Sequence, residues 1–313
     1  MSAEVSPVGV RRLTGAMRGL LVVAGVLVVL AGVQLFVFPL RTATYFAWTI
    51  QPPMTAVFLG AAYWSSAVFE WMGARSRTWA GARIAVPTVF VFTTLTLVVT
   101  LVHLEKFHLG AEFPGSTRAV TWAWIAIYAV VPVLMAVVWV AQARVPGTDP
   151  PRTAPLPAAL TALVAAQAVL FVVVGLLLLV RPASATWWPW TVTPLTGRAI
   201  GAWVLSLGVA AAHAVLERDA VRLRPAAGAD VAFALLQGVA LLRHGGDLDW
   251  RSATSWVYVA VLVAMFGIGT WTLLAARGHD VVDVRGATSD GRPAAAVAPP
   301  AAPPAATDPS QVG

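Results

Sequence analysis

The chain has 313 residues, 58% of them hydrophobic and only 11% charged, with a formal charge of +7 and no cysteine. Soluble domains carry about a quarter charged residues, so this composition excludes an ordinary soluble domain and describes a membrane protein. The missing cysteines exclude a disulfide framework, a thiolate metal site and a cysteine nucleophile. Basic residues scattered among short connecting segments argue against nucleic acid as a partner.

Apolar runs of roughly 20 residues, enough to cross about 30 Å of hydrocarbon, recur eight times. They fall at about 19 to 38, 54 to 73, 84 to 104, 119 to 142, 157 to 180, 195 to 215, 229 to 243 and 253 to 276, the seventh being the shortest. The expected fold is therefore an all-α membrane protein of eight transmembrane helices. The first run follows Arg11 and Arg12 but is longer than a signal-peptide core and is read as a retained helix. Arg75, Arg77 and Arg83 follow the second run; Arg144 and Arg152 follow the fourth; Arg218, Arg222 and Arg224 follow the sixth. The alternate loops are poorer in positive charge, which places both termini in the cytoplasm. Lys106 is the one lysine among 21 basic residues. That bias, with abundant Ala and Val, points to a GC-rich bacterial genome and a plasma-membrane location.

Taken in order, residues 1–16 are a cytoplasmic lead and 17–142 a first four-helix unit. The loop after its first run carries Tyr45, Phe46 and Trp48, rings suited to headgroup depth. The second run opens at Gln51-Pro52-Pro53, with Thr55 as a candidate cap, and contains the small residues Gly60 and Ala61 that favour close helix approach. Residues 143–156 form a polar cytoplasmic linker, and 157–277 repeat the pattern. Pro53 matches Pro194 at a separation of 141, which also pairs Thr55 with Thr196, Gly60 with Gly201, Arg77 with Arg218, Arg83 with Arg224 and His103 with His244. A unit of four helices starts and ends on one side, so the two copies are parallel repeats, a 4+4 arrangement. Residues 278–313 turn polar and then Ala/Pro-rich, the composition of a disordered cytoplasmic tail.

The run Trp188-Pro189-Trp190-Thr191-Val192-Thr193-Pro194-Leu195-Thr196-Gly197-Arg198 resembles a motif of uncharacterised multi-pass membrane proteins of GC-rich bacteria. The resemblance covers about 20 residues and implies a multi-pass fold without naming an activity or substrate.

Three groups of residues are candidates for function. Trp48, Thr55, Trp190, Thr196 and Arg198 lie at the outer ends of matched helices. Arg198 has Val57 as its counterpart, so a charge gained in one copy suggests a contact with a small solute or a lipid headgroup, with snorkelling to the interface as the alternative. Glu70 and His213, on matched helices near the inner face, form a candidate proton relay, although Glu217 stands one helical turn from His213 as a local partner. His103, His108 and His244 lie in or beside outer loops rich in acids and are candidate metal ligands. No phosphate loop, nucleophile elbow or zinc-protease helix is present, and no cofactor is expected. The readings that stand are a transporter or permease-like protein of small solutes or lipids, a membrane scaffold or accessory subunit, and a metal- or haem-binding membrane enzyme. Partners are the bilayer itself and, in the second reading, another membrane protein or further copies of the chain.

Overall fold

The computed structural model describes residues 9–279. Residues 1–8 of the predicted lead and residues 280–313, most of the predicted tail, lie outside the described residues. Eight long helices run through the described residues: α1 (Gly15–Gly32), α2 (Pro53–Arg75), α3 (Ala85–Val102), α4 (Gly115–Ala143), α5 (Ala158–Val180), α6 (Pro194–Glu217), α7 (Arg224–His244) and α8 (Ala253–Ala275). Short helical turns connect them at Thr42–Tyr45 and Trp79–Ala82, and α1 runs on through a wide π-helical turn, Val33–Val37.

The described residues hold seven helices long and apolar enough to cross a membrane. With exposed Val and Leu along α1, α4, α5 and α8 facing outward, this is the construction of a multi-pass membrane protein. The exception is α2, which has the length but also carries Ser65, Ser66, Trp64 and Glu70. Its position explains its composition. Nearly every residue from Met54 to Ala74 is buried against other helices, and a helix that meets protein on most sides need not be apolar all round. The seventh helix starts at Arg224, earlier than the run at 229, because Pro225 is accepted in a first turn, where its missing N–H leaves no hydrogen bond unmade.

Helix neighbours come in matched pairs. As α1 packs on α2, α5 packs on α6; as α3 packs on α4, α7 packs on α8; and α2 against α7 is mirrored by α3 against α6. Two glycines set the first of these pairs. A Cβ on Gly60 would run into the backbone of Phe36, and a Cβ on Gly201 into Leu178 and the carbonyl of Gly175, so both contacts need a residue without one.

Helix ends are fastened by side chains from distant segments. Thr14 caps α1 by accepting from Met17 N, while Gln142 at the end of α4 accepts from Thr14 N at 2.8 Å and donates to the Arg12 carbonyl at 3.0 Å. At the start of α2, Asp247 from the α7–α8 loop accepts from Met54 N at 2.8 Å. The expected cap Thr55 instead lies inside the helix. At α6, Thr193 and Thr196 close a reciprocal capping box after which Pro194 takes the first helical position.

Candidate functional site

The two aromatic loops fold inward. Trp48 and Trp190 are each only 3% exposed, so they are core residues and not rings at a headgroup belt. Trp48 stacks among Phe46, Phe107 and Trp124 at centroid distances of 4.7 to 5.1 Å. Trp190 sits among Phe58, Trp188 and Tyr258 at 5.2 to 5.8 Å. The matched tryptophans then differ. Trp190 donates its indole N–H to the Thr55 hydroxyl at 2.9 Å, whereas the Trp48 N–H is buried with no partner. Thr196, the counterpart of Thr55, uses its hydroxyl in the capping box with Thr193.

His108 pins the first loop in place. Its Nδ1 faces the Phe46 carbonyl at 2.9 Å and its Nε2 faces the Thr49 hydroxyl at 3.0 Å. A carbonyl only accepts, so Nδ1 carries the proton and Nε2 accepts from Thr49. Both ring nitrogens are thereby used, and burial pushes the imidazole below its ordinary pKa.

Arg198 and His103, singled out for different reasons, meet. The guanidinium donates from Nη1 to His103 Nε2 at 2.7 Å and from Nε to the Leu179 carbonyl at 3.0 Å. His103 therefore accepts as a neutral ring, and its pKa is lowered by burial first and by the Arg198 charge second. This contact ties α6 to the ends of α3 and α5. His244 stands apart, its Nε2 buried and unpartnered. Among the described residues there is no group of three or more His, Cys, Asp or Glu that could hold a metal ion.

Glu70 and His213 are each paired within their own helix. Ser66 donates to Glu70 Oε1 at 3.1 Å, while Glu70 Oε2 is buried without a partner. His213 Nε2 lies 3.3 Å from Glu217 Oε1.

Glu217 turns out to be the centre of a buried ion network and not merely a local partner. It accepts from Arg83 Nε and from Arg222 Nη1, the latter at 3.0 Å, and its side chain is 3% exposed. Arg83 also reaches Asp149 of the linker, and Arg222 reaches the Pro150 carbonyl. The Glu217 hydrogen bond is the largest of the effects that raise the Arg83 pKa further above its ordinary value. Beside it Asp219 Oδ2 accepts from the backbone N–H groups of Thr153 and Ala154 at 2.8 and 2.9 Å. The network fastens residues 149–154 to the α2–α3 and α6–α7 loops. Sequence reasoning saw the arginines here as topology signals, which hid their pairing: nothing in a one-dimensional pattern joins Arg83 to Glu217 across 134 positions.

A second group escaped the sequence reading altogether. Asp230 on α7 accepts from Gln167 Nε2 on α5 at 3.2 Å, beside a space of about 30 Å³. The signal was an acid in an apolar run, and it was lost because that run was placed to begin one residue before it. Compared with protein-family models, curated proteins and solved structures, the chain matches none of them.

Proposed function

We propose that the chain is a scaffold or accessory subunit of a bacterial plasma membrane, built as two parallel four-helix repeats with both termini cytoplasmic. The matched helix pairs support the repeat, and the positive loops at Arg75 to Arg83 and Arg218 to Arg224 support the orientation.

The observation that carries the scaffold reading is the filled seam between the halves. Phe92 lies on Trp203 at 3.8 Å between centroids, Gln237 Nε2 donates to the Phe58 carbonyl at 3.1 Å, and Trp190 donates to Thr55. Parallel-repeat transporters hold substrate between their halves, and here that place is occupied by side chains. A scaffold gains from such rigidity.

The permease-like reading keeps one supporting observation, the Arg198 guanidinium at an outer helix start with only neutral acceptors, a place where an anionic headgroup or solute is favoured. The metal- or haem-enzyme reading has less: both nitrogens of His108 and the Nε2 of His103 are already used by protein groups.

Crosslinking in native membranes, followed by purification and mass spectrometry, separates these readings when paired with solute and lipid flux in liposomes carrying the purified protein. A stoichiometric membrane-protein partner with no flux above empty liposomes is expected. Flux that Arg198→Gln abolishes would establish the permease reading instead.

A further inference from the structure

Asp230 stands six residues after Arg224, about 9 Å along α7, inside the α5–α8 half. Its carboxylate accepts a hydrogen bond from the Gln167 amide at 3.2 Å. The other end of that amide, Oε1, is buried and has no partner, and Gln167 as a whole is 9% exposed. Both residues border the space of about 30 Å³, and Thr272 of α8 borders it too. The Thr272 hydroxyl donates to the Ile268 carbonyl at 2.8 Å, so what it has left to offer is lone pairs. Ala210, Ala211 and Ala214 of α6 form a wall of small side chains that leaves the space open.

The electrostatics of this group are unbalanced. Asp230 is the only ionisable residue bordering the space, and a carboxylate at membrane depth is costly unless something pairs with it. A neutral amide supplies one hydrogen bond, and its own buried oxygen has no donor to satisfy it. A carboxylate, an amide and a hydroxyl side chain border one compartment, and oxygens of these kinds are the donors a hard cation takes. A single negative charge matches a single positive one, and a space of about 30 Å³, room for one or two waters, suits a small monovalent cation.

The internal register adds an independent point. At the separation of 141, Ala211 pairs with Glu70 and Asp230 pairs with Val89. In the first half the carboxylate itself stands at this position on α2, hydrogen-bonded to Ser66. In the second half alanine vacates the position, and the carboxylate stands on the next helix facing the opened space.

We propose that Asp230, Gln167 and Thr272 form a binding site for one sodium ion. The site does not depend on the scaffold reading; a scaffold holds such an ion as a structural counter-charge.

The test uses the purified full-length chain in detergent at pH 8, with melting temperature followed as sodium chloride replaces choline chloride at constant ionic strength. Sodium is expected to raise the melting temperature with a saturable dependence. Asp230→Asn is expected to abolish that rise, and Thr272→Val to weaken the apparent sodium affinity by about tenfold. Equilibrium binding of radioactive sodium to the unaltered chain is expected to approach one ion per molecule. The proposal is overturned if the unaltered chain neither binds sodium nor melts higher in it, or if Asp230→Asn keeps the full rise. Should Asp230→Asn not fold, an unchanged sodium affinity in Thr272→Val overturns it.

Discussion

The indole N–H of Trp190, in the loop before α6, donates to the hydroxyl of Thr55 in the first turn of α2 at 2.9 Å, so the second aromatic motif is hydrogen-bonded to the helix start of the first. Trp190→Phe keeps an aromatic ring, though a smaller one, and removes the donor. It is expected to destabilise the protein by about 1 to 2 kcal/mol, because a buried hydroxyl is left unmatched. Thr55→Val on the same background should cost little more, since both polar groups are then gone. Thermal unfolding of the two single variants and the double variant in detergent measures the coupling.

Glu217 accepts from two arginines, and its removal strands both. Glu217→Gln is expected to cost about 3 kcal/mol, the scale of a broken buried ion pair. Asp149→Asn, at a carboxylate with 30% exposure, should cost about 1 kcal/mol or less. Melting temperatures report both. Tryptic cleavage after Arg144 and Arg152, in and beside the segment the network holds down, should accelerate in Glu217→Gln.

Acid should loosen the segments that His103 and His108 hold. His103 and His108 have pKa values lowered by burial, so the folded state favours their neutral forms. Their contribution is complete above the unfolded imidazole value of about 6.5 and is lost as pH falls from there toward the lower folded values. Melting temperature should therefore drop between pH 7 and pH 5, and the double variant His103→Gln/His108→Gln should flatten that part of the profile.

The passage of α2 through the membrane is testable at its two ends. Thr44 and Arg75 are both exposed. Cysteines placed there should label with an impermeant maleimide from opposite sides of the bilayer in intact cells and inverted vesicles. Labelling of both from one side would remove α2 from the membrane-crossing set, and with it the 4+4 topology.

All eight long helices coincide with apolar runs read from the sequence, because lipid contact and burial both impose hydrophobicity. In α2 the run is reinforced by a Gly60-Ala61 core and a proline start that are echoed at Gly201 and Pro194. Side-chain pairing was not legible. Trp48 and Trp190 read as interfacial rings, because tryptophan at a helix end has the same local sequence whether it turns toward lipid or folds back into the core. Arg198 and His103 were both visible as candidates, but their contact spans 95 positions and depends on how α3 and α6 cross. Asp230 was missed because proline and arginine in the first turn of α7 disguised where that helix begins.

Enclosure of α2 also bears on the order in which the protein is made. The carbonyl of Phe58 receives its hydrogen bond from Gln237, 179 residues further along the chain, and the α2 N-terminus awaits Asp247 for its cap. Contacts this distant form late, and proteins that rely on them acquire their final packing slowly. Through most of its synthesis, α2 therefore has no α7 to lie against, and Glu70 sits in a half-built bundle with one wall missing. The arrival of α7 and its following loop completes the enclosure, so the least apolar helix, although it emerges second, is enclosed only near the end of synthesis.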